Sequence, residues 1–294
     1  MADTATLQHP SPRRLMLMRA RDHRGLMIGG LIVLAALLVA LAAPLIAPYD
    51  PFAQDLSRRA LPAVWHERGS WAHVFGTDAL GRDYLSRLIY GARVSLLIGV
   101  CAALGSGLIG TTLGLIAGYY GGWVDNVVTF FVSVRLALPV VLVALAIVSI
   151  FGGSLWIVVA VLSLLLWDRF AVVVRSATQQ LRAQEFVTAA RAMGASTPRI
   201  LIVELLPNLI GPLVVIASLE IAHAILLESA LSFLGLGVQP PTPSWGLMVS
   251  EGRGMVFFDP RLIALPGAAI AILVLGINLI GDGLRDVLTP EGRE

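Results

Sequence analysis

Apolar residues in this chain gather in long runs, over residues 26–47, 94–117, 127–150, 155–174, 209–234 and 262–280, with few charged side chains inside them. Crossing ~30 Å of hydrocarbon takes a helix of ~20 mostly apolar residues. A backbone surrounded by lipid must satisfy its own polar groups, so such runs fold as helices. The pattern predicts an all-α membrane protein with six transmembrane helices. The links at 119–125 and 151–154 are short and contain glycine, which makes the neighbours they join antiparallel hairpins. Glycines 105, 107, 110, 114 and 118 recur in the second run, where small residues let helices approach closely.

Two connections are long. Residues 48–92 are mixed and polar, with Pro48, Pro51 and Pro62, and residues 175–207 form a polar insert carrying Arg175, Arg182, Arg191 and Arg199. The amino-terminal tail, 1–24, holds Arg13, Arg14, Arg19, Arg21 and Arg24. The run after it exceeds the ~7–15 residues of a signal-peptide core, so it reads as a retained helix. Basic residues near membrane ends favour the cytoplasm. That rule and the even number of spans between them place both termini and the 175–207 insert inside the cell and the 48–92 loop outside the membrane, with residues 25–294 as one membrane domain.

Composition then narrows the chemistry. The chain is 57% apolar and 14% charged, where soluble domains carry about a quarter charged residues. All 21 basic residues are arginine. Without lysine there is no phosphate-binding P-loop and no Schiff-base chemistry, so this chain is expected to bind no ATP. Its net charge of +2 is scattered rather than gathered, which gives nucleic acid no patch to bind. Cys101 is the sole cysteine and reads as a packing residue. The G-x-S-x-G, H-E-x-x-H and G-x-G-D patterns are missing, so no catalytic or metal-ligating residue is assigned.

The insert has helical character from Glu185 to Gly194. Phe186, Ala189, Ala190 and Met193 fall at i, i+3, i+4 and i+7 as one apolar stripe, with Glu185, Arg182 and Arg191 off it. Gly194 ends this helix, Thr197 is a good N-cap with Pro198 at the first helical position, and Pro207 marks the entry to the fifth span. These residues fit a helix lying in another protein's groove and equally a helix resting on the bilayer surface.

A resemblance separates the two. Thr188-Ala-Ala-x3-Gly194-x9-Glu204-x-Leu206-Pro207 is similar to the E-A-A-x3-G-x9-I-x-L-P motif of permease subunits in binding-protein-dependent ABC importers, with Thr188 and Glu204 departing from it. Glu185-Phe-Val-Thr-Ala-Ala-Arg-Ala-Met-Gly-Ala-Ser196 follows the peptide and nickel branch nearly throughout. Phe75-Gly-Thr-Asp78-x-x-Gly81-Arg82-Asp83-x-x-Ser86-Arg87, the segment Leu231 to Gly246, and Asn278-Leu-Ile-Gly-Asp-Gly-Leu-Arg285 resemble the C-type subunit of dipeptide and oligopeptide permeases. The likeness implies a coupling helix in the insert, with Glu185, Ala189, Ala190, Arg191, Gly194, Leu206 and Pro207 meeting an ATPase. It also implies a second, similar permease as heterodimeric partner, two ATP-binding subunits that use ATP and Mg, and a periplasmic or lipid-anchored solute-binding protein. The Arg and Asp that similar proteins often carry near Phe130 and Ser133 are replaced by uncharged residues, with Arg135 close by, and the end of span four is altered around Asp168 and Val172.

Charged groups inside spans cost ~2.5–3.5 kcal/mol each at mid-bilayer, so they face protein or water. Glu220 and His223 share a helix face and are expected to line the path, to pair across to the partner permease, or to form a structural pair. Glu228 and Arg135 join them as pore or gate candidates. Asp78, Arg82 and Asp83 in the outer loop either contact the solute-binding protein or form a local ion-pair network. The expected function is half of an import path for di- or oligopeptides in the bacterial inner membrane. Rival readings are import of nickel or another small solute, and an ion-coupled secondary transporter with Glu220, Glu228 and Asp168 as ion sites.

Overall fold

The computed structural model describes residues 18–21 and 23–288. Most of the 1–24 tail, including Arg13 and Arg14, lies outside them. Ten helices of eight or more residues carry the architecture among the described residues: α1 (Arg24–Ile46), α2 (Tyr84–Tyr120), α3 (Gly122–Ala137), α4 (Val140–Phe151), α5 (Leu155–Leu165), α6 (Trp167–Leu181), α7 (Glu185–Ala192), α8 (Leu206–Phe233), α9 (Trp245–Gly252) and α10 (Arg261–Leu288). Five helical stretches are long and apolar enough to cross a membrane: Arg24–Ile46, Tyr84–Tyr120, Leu155–Leu181, Thr197–Phe233 and Arg261–Leu288. The pair α3 and α4, bent by 87°, makes a sixth if the two are one span.

That bend corrects the continuous helix expected over 127–150. Pro139 causes it: the residue before a proline is pushed out of the helical region, and Leu138 sits at φ −92°, ψ 129°. Span four is interrupted at Leu166 (φ −111°, ψ 10°) and continues to Leu181 beyond its expected end. The outer loop is shorter than 48–92, because α2 already begins at Tyr84 with the Asp83 carboxylate capping the Ser86 N–H. Before α8, Ile200–Leu205 form a π-helical turn whose Leu206 N–H reaches back to Leu201. The widened turn lets the chain carry Pro207, which has no N–H to give.

The long helix α2 is the frame. It packs in parallel against α6 along Gly110, Gly114 and Gly118: a Cβ at these positions would lie 2.2 Å from Trp167 O, 2.7 Å from Ala171 O and 2.7 Å from Arg175 O. Gly105 meets Ser163 on α5 in the same way. These glycines are packing positions, as their spacing predicts. α1 lies antiparallel on α10, where Gly29 and Gly276 let the backbones touch and His23 Nε2 sits 3.1 Å from Asp286. Large apolar side chains remain exposed around the outside, Leu31, Leu41 and Leu45 among them. Lipid is their solvent, so exposure there costs nothing.

The start of α1, the end of α10, the end of α2 and the insert all gather at one end of the bundle. Gly211 at the start of α8 lies beside Leu288, and Arg182 donates to the Tyr119 carbonyl. The outer loop, α9 and the 235–243 segment occupy the opposite end.

A matched pair of substitutions tests the packing. Gly110→Ala drives a methyl into backbone and is expected to destabilise the detergent-solubilised protein by ~1–3 kcal/mol. Gly30→Ala has nothing within 4 Å of the new methyl; it is expected to be neutral or to stabilise by about 0.5–1 kcal/mol. Equal melting temperatures for the two variants would contradict this account.

Candidate functional site

At the insert end, α7 is pinned from one side only. Val187 and Ala190 are buried against Leu115, Val174, Ile200, Leu205 and Leu209. Gly194, at φ +79°, turns the chain out of the helix, and Ala195 N–H returns to Ala190 O at 3.0 Å. The expected stripe is therefore split. Ala190 faces the core, while Phe186, Ala189 and Met193 stay exposed, with Met193 82% open. Val187, which the periodicity passed over, supplies the inward contact. Ser196, not the expected Thr197, holds the N-cap position of the next helical turn, without a side-chain capping bond, and Pro198 lies inside its first turn. Glu185, Arg191 and Pro207 are exposed and Leu206 is half-buried.

Tyr119, at the end of α2, ties this segment to the bundle. Arg182 Nη1 donates to its carbonyl at 3.0 Å, and the Arg191 guanidinium stacks 4.9 Å from its ring. Nearby, Arg175 grips Asp125 with two donors and Gln179 adds a third. None of these pairs is visible in sequence, since partners from α2 or α3 and α6 stand fifty or more positions apart.

Midway through the bundle, charged groups meet where spans three and four break. Arg169 Nη1 donates to Glu220 Oε1 at 3.0 Å, His223 Nδ1 lies 3.4 Å from Glu220 Oε2, and Arg135 lies 3.7 Å from Asp168. Glu220 and His223 do share a face, but Glu220's principal partner is Arg169, which the sequence reading did not single out. The only advance signal was the altered pattern beside Asp168. Arg135, Asp168, Arg169 and His223 line a cavity of about 250 Å³. Glu228 stands apart from it: fully buried, its Oε1 accepts from Ser232 Oγ at 2.7 Å and Ser244 Oγ at 2.8 Å. Ser244 in turn caps α9, so Glu228 fastens α9 to α8.

At the outer end, Asp78, Arg82 and Arg87 are buried together with half-exposed Glu251 at their edge. Asp78 accepts from Arg82 Nε and Arg87 Nη1, both at 2.6 Å, while Glu251 takes Arg82 Nη2 at 3.0 Å and Arg87 Nη1 at 2.6 Å. Asp83 holds His73 Nδ1 at 2.8 Å besides capping α2. Burial alone would raise the Asp78 carboxyl, but Arg87, Arg82 and the Arg82 N–H outweigh it and hold it below the usual carboxylate range. A depressed carboxylate stabilises the folded loop above its unfolded pKa, and that contribution is lost as pH falls through the lower folded value. This network ties the outer loop to α2 and α9.

Comparison with known proteins matches residues 110–293 to the binding-protein-dependent transport system inner membrane component, and residues 11–63 to the N-terminal transmembrane domain of oligopeptide transport permease C. A dipeptide transport system permease protein of Haemophilus influenzae is 39% identical over 99% of both chains. A di/tripeptide transport system permease protein of Pseudomonas aeruginosa is 41% identical over 99% of this chain and 96% of that one. A glutathione transport system permease protein of Pectobacterium atrosepticum is 40% identical over 89% of this chain and 85% of that one. Among solved structures, an inward-facing methionine ABC transporter chain shares the fold with a TM-score of 0.56 at 19% identity, covering 68% of this chain and 96% of that chain.

Removing Arg87 tests the outer network. Arg87→Met leaves Asp78 buried with one cation fewer, and breaking such a group costs about 3–5 kcal/mol. The expected readout is a lower melting temperature with faster protease cleavage within residues 47–83. Wild-type melting and cleavage would contradict it.

Proposed function

Because this chain belongs to the inner membrane components of binding-protein-dependent transport systems, where it is a multi-pass permease subunit of an ABC importer, we propose that it forms one half of an import path for di- and oligopeptides. The peptide assignment is supported by full-length relatives named for dipeptide and di/tripeptide transport. Glutathione is a second cargo, supported by a relative named for it at 40% identity; it is itself a peptide. A second, similar permease completes the path as a heterodimer. A solute-binding protein delivers the cargo outside, and two ATP-binding subunits use ATP and Mg inside. This chain contributes shape and movement, not hydrolysis.

The observation that carries the coupling role is the exposed apolar stripe of Phe186, Ala189 and Met193 on a helix whose other face is fixed by Val187 and Ala190. A short rigid helix with small and apolar residues outward fits a groove on another protein. In this reading the α7 end faces the cytosol, in keeping with Arg175, Arg182, Arg191 and Arg199 around it. Glu185 and Arg191 flank the stripe as rim contacts. Movement of the docked helix reaches α2 through Tyr119 and reaches α8 through Leu206 and Pro207. Asp78, Arg82 and Asp83 keep the outer loop in shape for the binding protein to meet.

Substitution at the exposed positions separates docking from folding. Ala189→Asp with Met193→Asp is expected to abolish co-purification of the ATPase subunits and peptide uptake, while the melting temperature stays within a degree or two of wild type. Ala190 is unsuited to the test, because a charge there enters the core. ATPase co-purification that survives the double change would contradict the docking role.

A further inference from the structure

Two breaks in the bundle open on one cavity. The bend at Leu138–Pro139 and the turn at Leu166 both border the space of about 250 Å³ that Arg169 and His223 also line. Irregular backbone at membrane depth persists only where protein or water satisfies it. Glu220 stands halfway along α8 and is fully buried. Burying the Glu220 carboxylate costs desolvation that contacts to a half-exposed Arg169 and to His223 offset only in part. A pair of leucines would hold α6 to α8 as firmly. The pair therefore calls for another use.

Arg169 has one anchored side and one open side. Its Nη1 donates to Glu220, yet its side chain is 54% exposed, and its other donors meet no acceptor among the described residues. Arg135 differs: it is 14% exposed and committed to Asp168 and the Leu165 carbonyl. A guanidinium is a planar fork that receives a carboxylate with two parallel hydrogen bonds. Glu220 behind it restrains the fork, so less freedom is lost when a second carboxylate arrives. The same Glu220 offsets the positive charge and keeps the hold weak. A site of passage needs both properties, since a solute must enter and also leave.

We propose that this cavity is a passage subsite for the C-terminal carboxylate of a short zwitterionic peptide, received by Arg169, with Leu138 and Leu166 flanking the terminal residue. The proposal rests on the importer reading above. The cavity takes one end of a peptide, and the remainder lies in the path shared with the second permease. Arg169 would then act on the cargo itself within the membrane, after the binding protein has released it.

The test uses the complete importer in proteoliposomes: this chain, the second permease, both ATPases and the binding protein. Dialanine uptake is measured beside ATP hydrolysis stimulated by the loaded binding protein. Arg169→Met is expected to cut uptake at least tenfold while stimulated hydrolysis stays near wild type. Arg169→Lys keeps part of the uptake, because an ammonium still attracts a carboxylate without the paired geometry. Unchanged uptake in Arg169→Met overturns the subsite. Uptake and hydrolysis falling together in both variants also overturns it, since a structural tie or gate would behave that way. A photoreactive dipeptide in the wild-type importer should label residues 136–140 or 166–169, and labelling confined to other segments overturns it independently. Wild-type protein that neither assembles with ATPases nor takes up dialanine would instead remove the importer reading, and the subsite with it.

Discussion

Lipid offers no partner to a stray peptide group or a lone charge, and it gives apolar helices no reason to prefer one another. Every functional feature of this molecule sits where protein atoms have met that constraint. Helices α2 and α6 stay together because three glycines let backbone approach backbone. The breaks at Leu138 and Leu166 both border a cavity, where Arg135 donates to the Leu165 carbonyl. Arg87, with no exposure at all, persists because Asp78 and Glu251 both receive it.

One helix connects the three regions. α2 starts at the buried outer network through Asp83 and Arg87, passes along the broken fourth span through its glycine face, and ends at Tyr119 in the grip of Arg182 and Arg191. Its 37 residues span roughly 55 Å at the α-helical rise. It runs without a break from the outer network to the α7 end and packs on α6 between them. α8 offers a parallel route, with Glu220 held by Arg169 at its middle and Glu228 held by Ser232 and Ser244 nearer its end. α2 is thus held at both ends, and α8 at its middle and toward its outer end.

The spans were legible because crossing a bilayer demands long apolar runs, and six such runs are plain in the chain. The breaks were not, although Pro139 stood in view: hydropathy records what a segment is dissolved in, not whether its backbone stays straight. The insert was legible as helix, glycine turn and helix, but its inward face was not: Ala190 was grouped with the outward stripe and Val187 was passed over. Phe186 and Met193 are as apolar as Val187, and periodicity cannot tell a face kept for the protein's own core from one kept for a partner. Asp78 and Arg82 are close enough in sequence to suggest a pair. Arg87–Glu251 and Arg169–Glu220 join residues 164 and 51 positions apart, so only the folded chain reveals them.

The central claim is that the exposed face of α7 looks into the cytosol and meets a separate ATPase. The most direct measurement replaces Cys101 with serine, introduces Met193→Cys, and labels with a membrane-impermeant thiol reagent. The account predicts labelling in inverted vesicles, none in intact spheroplasts, and protection when the ATPase subunits are bound. Labelling from outside intact spheroplasts, or labelling that bound ATPase leaves unchanged, would contradict it.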